Sequence, residues 1–240
     1  MDPLNGKNWR NPKAPVKQIP ATNSMRAAYN SVGYMPGYVS TQGSIRLERN
    51  LSGVLSTINF DLLENVNKNG NAFPTELRLS QSDKFTVTHI GFFVSSYVTA
   101  TESRSSAVLA TYPNNKVFTG AGEAAGIQQA YAGILKVQIG TTTFVQQLHM
   151  NTFYRVPVSQ QGVAVSAVAT TGVIGRDTWN DALFGFLPYV PTITLEGIAN
   201  YSIQVQLPAG SSSSFSDPAG LRTNFAALCF NGIYHAKTNR

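Results

Sequence analysis

From residue 43 onward the chain is made of short runs in which polar and apolar side chains alternate. A period of two marks a strand with one buried face. Ser44-Ile45-Arg46-Leu47-Glu48-Arg49 is the clearest example. Residues 84–94 form a longer run rich in β-branched and aromatic residues, which fit a pleated surface. Residues 54–63, 77–79, 106–111, 133–139, 142–149, 152–157, 162–168, 192–197, 200–207 and 224–235 are further candidate strands. Turn residues separate them: Pro113-Asn114-Asn115, Gly140, Gln160-Gln161-Gly162, Pro188, Pro191 and the serines 211–214. Many short strands at this spacing predict a sandwich or barrel. One segment breaks the rhythm. Residues 122–132 are rich in helix formers, and Ile127, Ala130 and Tyr131 fall at i, i+3 and i+4, so a short inserted helix with one apolar stripe is expected there.

The chain has 240 residues, a length at which a β sandwich or barrel is commonly one domain of about 200–250 residues. Only 12% of its residues are charged, where a soluble domain averages about 25%. A surface of Asn, Gln, Ser and Thr suits packing against copies of itself better than it suits a freely diffusing protein. A secreted or merely unusual β protein is the blander account. The single cysteine, Cys229, excludes an internal disulfide framework and a cysteine zinc cluster. It lies in the apolar run 225–230, so a buried, inert thiol is expected. The N-terminal residues lack the apolar stretch of a secretory signal, and no apolar run reaches membrane-spanning length.

Positive charge is concentrated at the start. Residues 1–26 carry Lys7, Arg10, Lys13, Lys17 and Arg26 against Asp2 alone, a net of +4 out of +6 for the whole chain. The same stretch holds Pro3, Pro12, Pro15 and Pro20, which remove backbone donors and resist both helix and central strand. Residues 1–42 therefore read as an extended basic arm. Spaced Lys and Arg neutralise phosphates without reading sequence, and Trp9 could stack on a base. An arm that ties neighbouring subunits together fits equally well. Contact with an anionic lipid surface is a third role for the same charges.

Chemical motifs fail on spacing or context. Gly120-Ala121-Gly122-Glu123-Ala124-Ala125-Gly126 places its third glycine one residue late for a dinucleotide fingerprint and lacks the βαβ frame, so these glycines read as helix-boundary residues. His89, His149 and His235 form no i, i+4 pair and read as surface or satisfied core histidines. No nucleophile elbow or phosphate-binding loop occurs. Asp177 and Asp181 could form a carboxylate pair of the kind glycosidases use, but a capped turn with Trp179 beneath it is the simpler account. No enzyme, cofactor or metal is expected.

Several segments resemble major capsid proteins of tailless icosahedral bacteriophages, of the jelly-roll type. They are residues 76–87 with the following Ile90-Gly91-Phe92-Phe93, then 109–114, 118–120 and Leu195-Glu196-Gly197 before a final pair of strands. The layout is similar as well, with a basic, proline-containing arm ahead of about 200 residues of strands interrupted by a helix. The resemblance spans most of the chain but rests on no single diagnostic motif. It implies a non-enzymatic shell subunit assembled as trimers or rings around nucleic acid, together with other virion proteins. Its location would be the virion, after synthesis in the host cytoplasm.

The expectation is thus an all-β, jelly-roll-like sandwich over residues 43–240, with a short helical insertion and an extended arm at 1–42. A single barrel is favoured over a compact double one. Lys7, Trp9, Arg10, Lys13, Lys17 and Arg26 are the candidate contacts to nucleic acid or to neighbouring subunits. Trp179, Phe184, Phe186 and Tyr189, read as loop aromatics, are candidate interface anchors, with packing beneath the loop as their competing role. The alternative function is a phage decoration or fibre protein, or a carbohydrate-binding sandwich in which Trp179, Asn180 and Asp181 would form the sugar site.

Overall fold

The computed structural model describes residues 37–64, 73–114, 117–120, 122–156, 185–208 and 213–238. The arm residues 1–36, the candidate strand 162–168, the Asp177/Asp181 pair, Trp179 and Phe184 lie outside the described residues.

Among the described residues ten strands follow in chain order: β1 (Tyr38–Leu51), β2 (Val54–Leu55), β3 (Thr57–Phe60), β4 (Lys84–Val98), β5 (Ile134–Ile139), β6 (Thr142–His149), β7 (Phe186–Glu196), β8 (Tyr201–Gln206), β9 (Ser213–Ser214) and β10 (Arg222–Lys237). All their pairings are antiparallel and nest like one long folded hairpin. β1 pairs with β10, β2 with β9, β3 with β8, β4 with β7 and β5 with β6. Two further pairings, β10 with β4 and β8 with β5, roll that ribbon up. The result is one four-stranded sheet ordered β1-β10-β4-β7 and another ordered β3-β8-β5-β6. This wrapped ribbon is a jelly roll, an all-β sandwich of two facing sheets.

The main core lies between the sheets. Ile45, Leu47, Phe92, Leu228 and Phe230 from the first sheet meet Ile58, Leu135, Val137, Ile203 and Val205 from the second, each at most 2% exposed. The alternation at 44–49 becomes β1, with Ile45 and Leu47 turned inward. β4 is buried almost throughout because both its faces are covered. On the face away from the core, Phe93, Ala227 and Cys229 pack with Leu109 and Phe186 in a second, smaller cluster. Cys229 is buried there as expected, and burial pushes its thiol up to about 12.

The inserted helix is present. Helix α1 (Glu123–Gln128) continues into a 3-10 turn (Gln129–Ala132). Gly122 precedes it with φ +76°, a left-handed conformation that disfavours side chains, so the glycine is a helix-boundary residue. Ile127, Ala130 and Tyr131 are fully buried. Tyr131 sets its ring edge-on to Phe92 at 5.3 Å and to Tyr154 at the same distance. A side chain at Gly126 would lie 2.5 Å from the Ser214 carbonyl oxygen, so glycine is what lets α1 approach β9.

Five expectations need correction. Of the serines 211–214 read as a turn, Ser213 and Ser214 form β9, paired with β2. Of the candidate strand 152–157, the described residues 152–156 are not a strand. Met150–Phe153 is a 3-10 turn, and Met150 and Phe153, both fully buried, are spaced three apart rather than two. Residues 106–111 contribute only a single bridge from Ala110 to Val94, because Arg104–Ser106 forms a 3-10 turn closed by the Ser106 hydroxyl on the Ser103 carbonyl. Residues 186–191 are not a loop but the start of β7, so Phe186 and Tyr189 are strand residues. Pro188 is tolerated because β7 is an edge strand, where a ladder donor is dispensable, and Pro191 lies in the register irregularity between Pro188 and Ile193, where β7 is not paired with β4. The first strand begins at Tyr38, inside the stretch read as arm.

Candidate assembly surface

β6 and β7 are the outermost strands of the two sheets on the same side of the sandwich. The opposite side is better guarded. β1 carries Arg46, Glu48 and Arg49, and its free edge pairs with Leu77 through two 2.9 Å backbone bonds at Arg46. β3 is only four residues long and is followed by the buried Asp61. Charged residues, short strands and added partners are the usual ways of blunting a sheet edge.

Among the described residues β6 has neither charge nor an added partner on its free edge. Its eight residues include no Lys, Arg, Asp, Glu or Pro. The β5–β6 register steps from Val137 opposite Val145 to Gln138 opposite Thr143, which leaves Phe144 as the extra residue of a bulge. Bulges re-aim side chains, and Phe144 is 46% exposed. Facing it on β7 are Pro188, Tyr189 and Val190, the last 78% exposed. The Tyr189 hydroxyl donates to the Phe144 carbonyl at 3.4 Å. Burial pushes the Tyr189 phenol up from its ordinary value.

Between these strands lies an open cleft of about 340 Å³. Phe144, Leu148, Leu187, Tyr189 and Val190 line it, and Ile90 and Phe153 form its floor. Among the described residues no charged side chain lines it. Depletion of charge around exposed aromatic and aliphatic groups is the compositional mark of a protein interface core.

Of the four predicted anchors, the structure therefore places Tyr189 in the cleft. Phe186 packs edge-on against Phe93 at 5.3 Å and belongs to the second core cluster, the packing role weighed against an interface role. Trp179 and Phe184, like the six arm residues, lie outside the described residues. Phe144 and Val190 were not legible as anchors, because their exposure depends on a bulge and on an edge position.

Sequence reasoning also missed a buried ion cluster on the outer face of β1. Arg104 donates through Nε to the Glu48 carboxylate and through Nη1 to Asn50 Oδ1 at 2.7 Å. Its guanidinium lies 3.6 Å from the Phe73 ring centroid and 4.1 Å from that of Phe225. Glu48 also accepts from the Thr75 hydroxyl at 2.7 Å and pairs with Arg46 at 2.6 Å. Glu76 accepts from the Glu48 backbone amide and pairs with Arg78. Together these bonds strap residues 73–78 and the 99–107 loop onto the barrel.

The histidines are dispersed. His89 and His235 are buried and hydrogen-bonded to hydroxyls, and His149 is exposed. Among the described residues no three His, Cys, Asp or Glu side chains gather as a metal site would require. Among them, too, no helix is long and apolar enough to cross a membrane. In comparisons with known proteins, no family model, no curated protein and no solved structure matches this chain.

Proposed function

We propose that this chain is a structural virion protein that self-assembles into an icosahedral capsid shell around a viral genome, without enzymatic activity. The observation that carries this reading is the cleft between β6 and β7, which among the described residues no charged side chain lines, whereas charged residues guard the β1 edge on the opposite side. An uncharged apolar face is where two copies can meet without desolvating charge or bringing like charges together. The nested jelly roll supports the reading. It is a closed, rigid block whose loops and edges can be repeated around symmetry axes. The 12% charge content supports it too, since uncharged polar surface is easily desolvated between copies.

In this reading the chief partner is the chain itself, as trimers or rings within the shell, alongside other virion proteins. Lys7, Arg10, Lys13, Lys17 and Arg26, with Trp9, contact the genome or tie subunits together. The protein resides in the virion after synthesis in the host cytoplasm. Negative-stain microscopy of the purified full chain tests this. Rings, trimers or shells of uniform size are expected. A field of single 25.9 kDa particles at every concentration and salt would set the reading aside.

A further inference from the structure

Four strands of the first sheet carry one row of directly opposed residues: Ser40 in β1, His235 in β10, Lys84 in β4 and Glu196 in β7. His235 is fully buried. Its Nδ1 lies 2.8 Å from the Ser40 hydroxyl and its Nε2 lies 3.1 Å from the Thr86 hydroxyl. Thr86 in turn shares a 3.0 Å hydrogen bond with Thr194. The ring thus ties the start of β1 by side-chain hydrogen bonds to β4 and, through Thr194, to β7.

That start of β1 has few other restraints. As an edge strand, β1 pairs with β10 alone in the sheet order, and among the described residues its backbone gains further partners at Arg46, through Leu77, and at Glu48, through the Glu76 carboxylate, both beyond residue 43. Residues 38–43 are exposed or half-buried, whereas Ile45 is 1% exposed. Beyond the ladder, the Thr238 amide and hydroxyl hold the Gly37 carbonyl, each at 2.9 Å. Segments with few buried contacts open locally, well below the free energy of global unfolding.

Among the described residues, no free carboxylate faces the ring to compensate a positive charge. The hydroxyls of Ser40 and Thr86 can turn to accept from an imidazolium, but both are neutral. Lys84 on β4 is cationic, and the one carboxylate of the row, Glu196, is engaged with Lys84 at 2.6 Å. Tyr38 on β1 places its ring under the Lys84 ammonium at 5.8 Å. Asp83, next to Lys84, accepts from the Tyr234 hydroxyl and the Lys237 amide. Burial first, and Lys84 second, hold the ring below its ordinary value.

We propose that His235 is an acid-sensitive latch: protonation of its buried ring opens residues 37–43 off β10 and leaves the barrel from Ile45 onward folded. The sign follows from linkage. The closed state takes up its proton at a lower pH than the open state, whose ring titrates near about 6.5. Closure is therefore fully favoured above that pH and weakens as pH falls, by at most about tenfold per pH unit, until the closed-state value is reached. Opening frees the backbone that links the basic N-terminal segment to the barrel. The latch does not depend on whether the chain assembles.

Hydrogen exchange followed by mass spectrometry on the full chain tests it, with rates corrected for intrinsic chemistry, at about pH 7 and about pH 5. In the wild type the protection of amides 38–43 falls severalfold to tenfold or more, while amides 225–230 of β10 keep theirs. In His235→Gln the protection of 38–43 is independent of pH. In His89→Gln, which alters the other buried histidine, the wild-type drop persists. An unchanged 38–43 signal in the wild type, or an equal drop in His235→Gln, overturns the proposal. Should His235→Gln fail to fold, the wild-type His235 ring is titrated by NMR. A ring that titrates together with the 38–43 opening supports the latch, and one that stays neutral through the opening overturns it.

Discussion

The hydroxyl of Tyr189 in β7 reaches the backbone carbonyl of Phe144 in β6, bridging the two sheets across the open side of the sandwich. At 3.4 Å the bond is long, and Phe144 is 46% exposed, so this pair contributes little to holding the barrel shut. Phe144→Ala is expected to cost less than about 1 kcal/mol of folding stability. Phe153→Ala, in the fully buried floor of the same cleft, is expected to cost about 3–5 kcal/mol. Urea unfolding of the two variants checks the contrast. Equal losses would mean that Phe144 is part of the core and not a surface anchor.

The Arg104–Glu48 pair behaves in the opposite way. Both side chains are at most 7% exposed, and the guanidinium sits between two phenyl rings. Glu48→Ala leaves the buried Arg104 guanidinium without its carboxylate, which should cost about 3–5 kcal/mol in chemical denaturation. Arg104→Ala should cost less, because Glu48 keeps its pair with Arg46 and its bond from Thr75. The double variant should lose much less than the sum, since the stranded charge is gone. Additive losses would show that the two side chains act independently.

Cys229 is predicted to be silent in the native protein. With its thiol pushed up to about 12 and its side chain packed with Phe93 and Ala227, almost no thiolate exists near neutral pH. A thiol reagent at about pH 8 should label it only at the rate of unfolding. Immediate labelling of the folded chain would show that the face carrying Phe93 is accessible.

Acid should act on Asp83 and Asp217 below the histidine range. Desolvation pushes both carboxyls up, but hydrogen bonds outweigh it and leave both below their ordinary value. At Asp83 the donors are Tyr234, the Lys237 amide and Ser82. At Asp217 they are the amides of Ala219, Arg222 and Leu221, with the charge of Arg222 adding to them. Groups lowered in the folded state stabilise it above about pH 4, and that stabilisation is lost as pH falls through the folded-state value. Asp83→Asn should therefore melt below the wild type at neutral pH, with the difference vanishing by about pH 2. A difference that persisted at low pH would mean that the ionised carboxylate is not what holds Tyr234 and Lys237.

How much of this was legible varied from element to element. The alternation at 44–49 gave β1, the aromatic run at 84–94 gave β4, and the i, i+3, i+4 stripe of Ile127, Ala130 and Tyr131 gave α1, because each signal is local. β7 was misread at its start because Pro188 and Pro191 punctuate it, the first on an edge strand that can spare a ladder donor and the second in a register irregularity. The nesting of strands was named only through the resemblance, since Tyr38 opposite Lys237 is a pairing that periodicity cannot report. The Glu48–Arg104 contact links residues 56 apart with no motif between them. Phe144 is exposed only because its partner strand β5 is one residue short at that point.

The central claim is that copies of this chain meet through the β6/β7 cleft, and light scattering of the full chain against the Phe144→Asp, Val190→Asp double variant tests it most directly. A charge at each exposed position should block an uncharged contact while leaving the barrel folded, as checked by circular dichroism. The account predicts a wild-type mass that is a multiple of 25.9 kDa and a folded double variant at 25.9 kDa. A monomeric wild type, or a double variant that assembles as the wild type does, would contradict it.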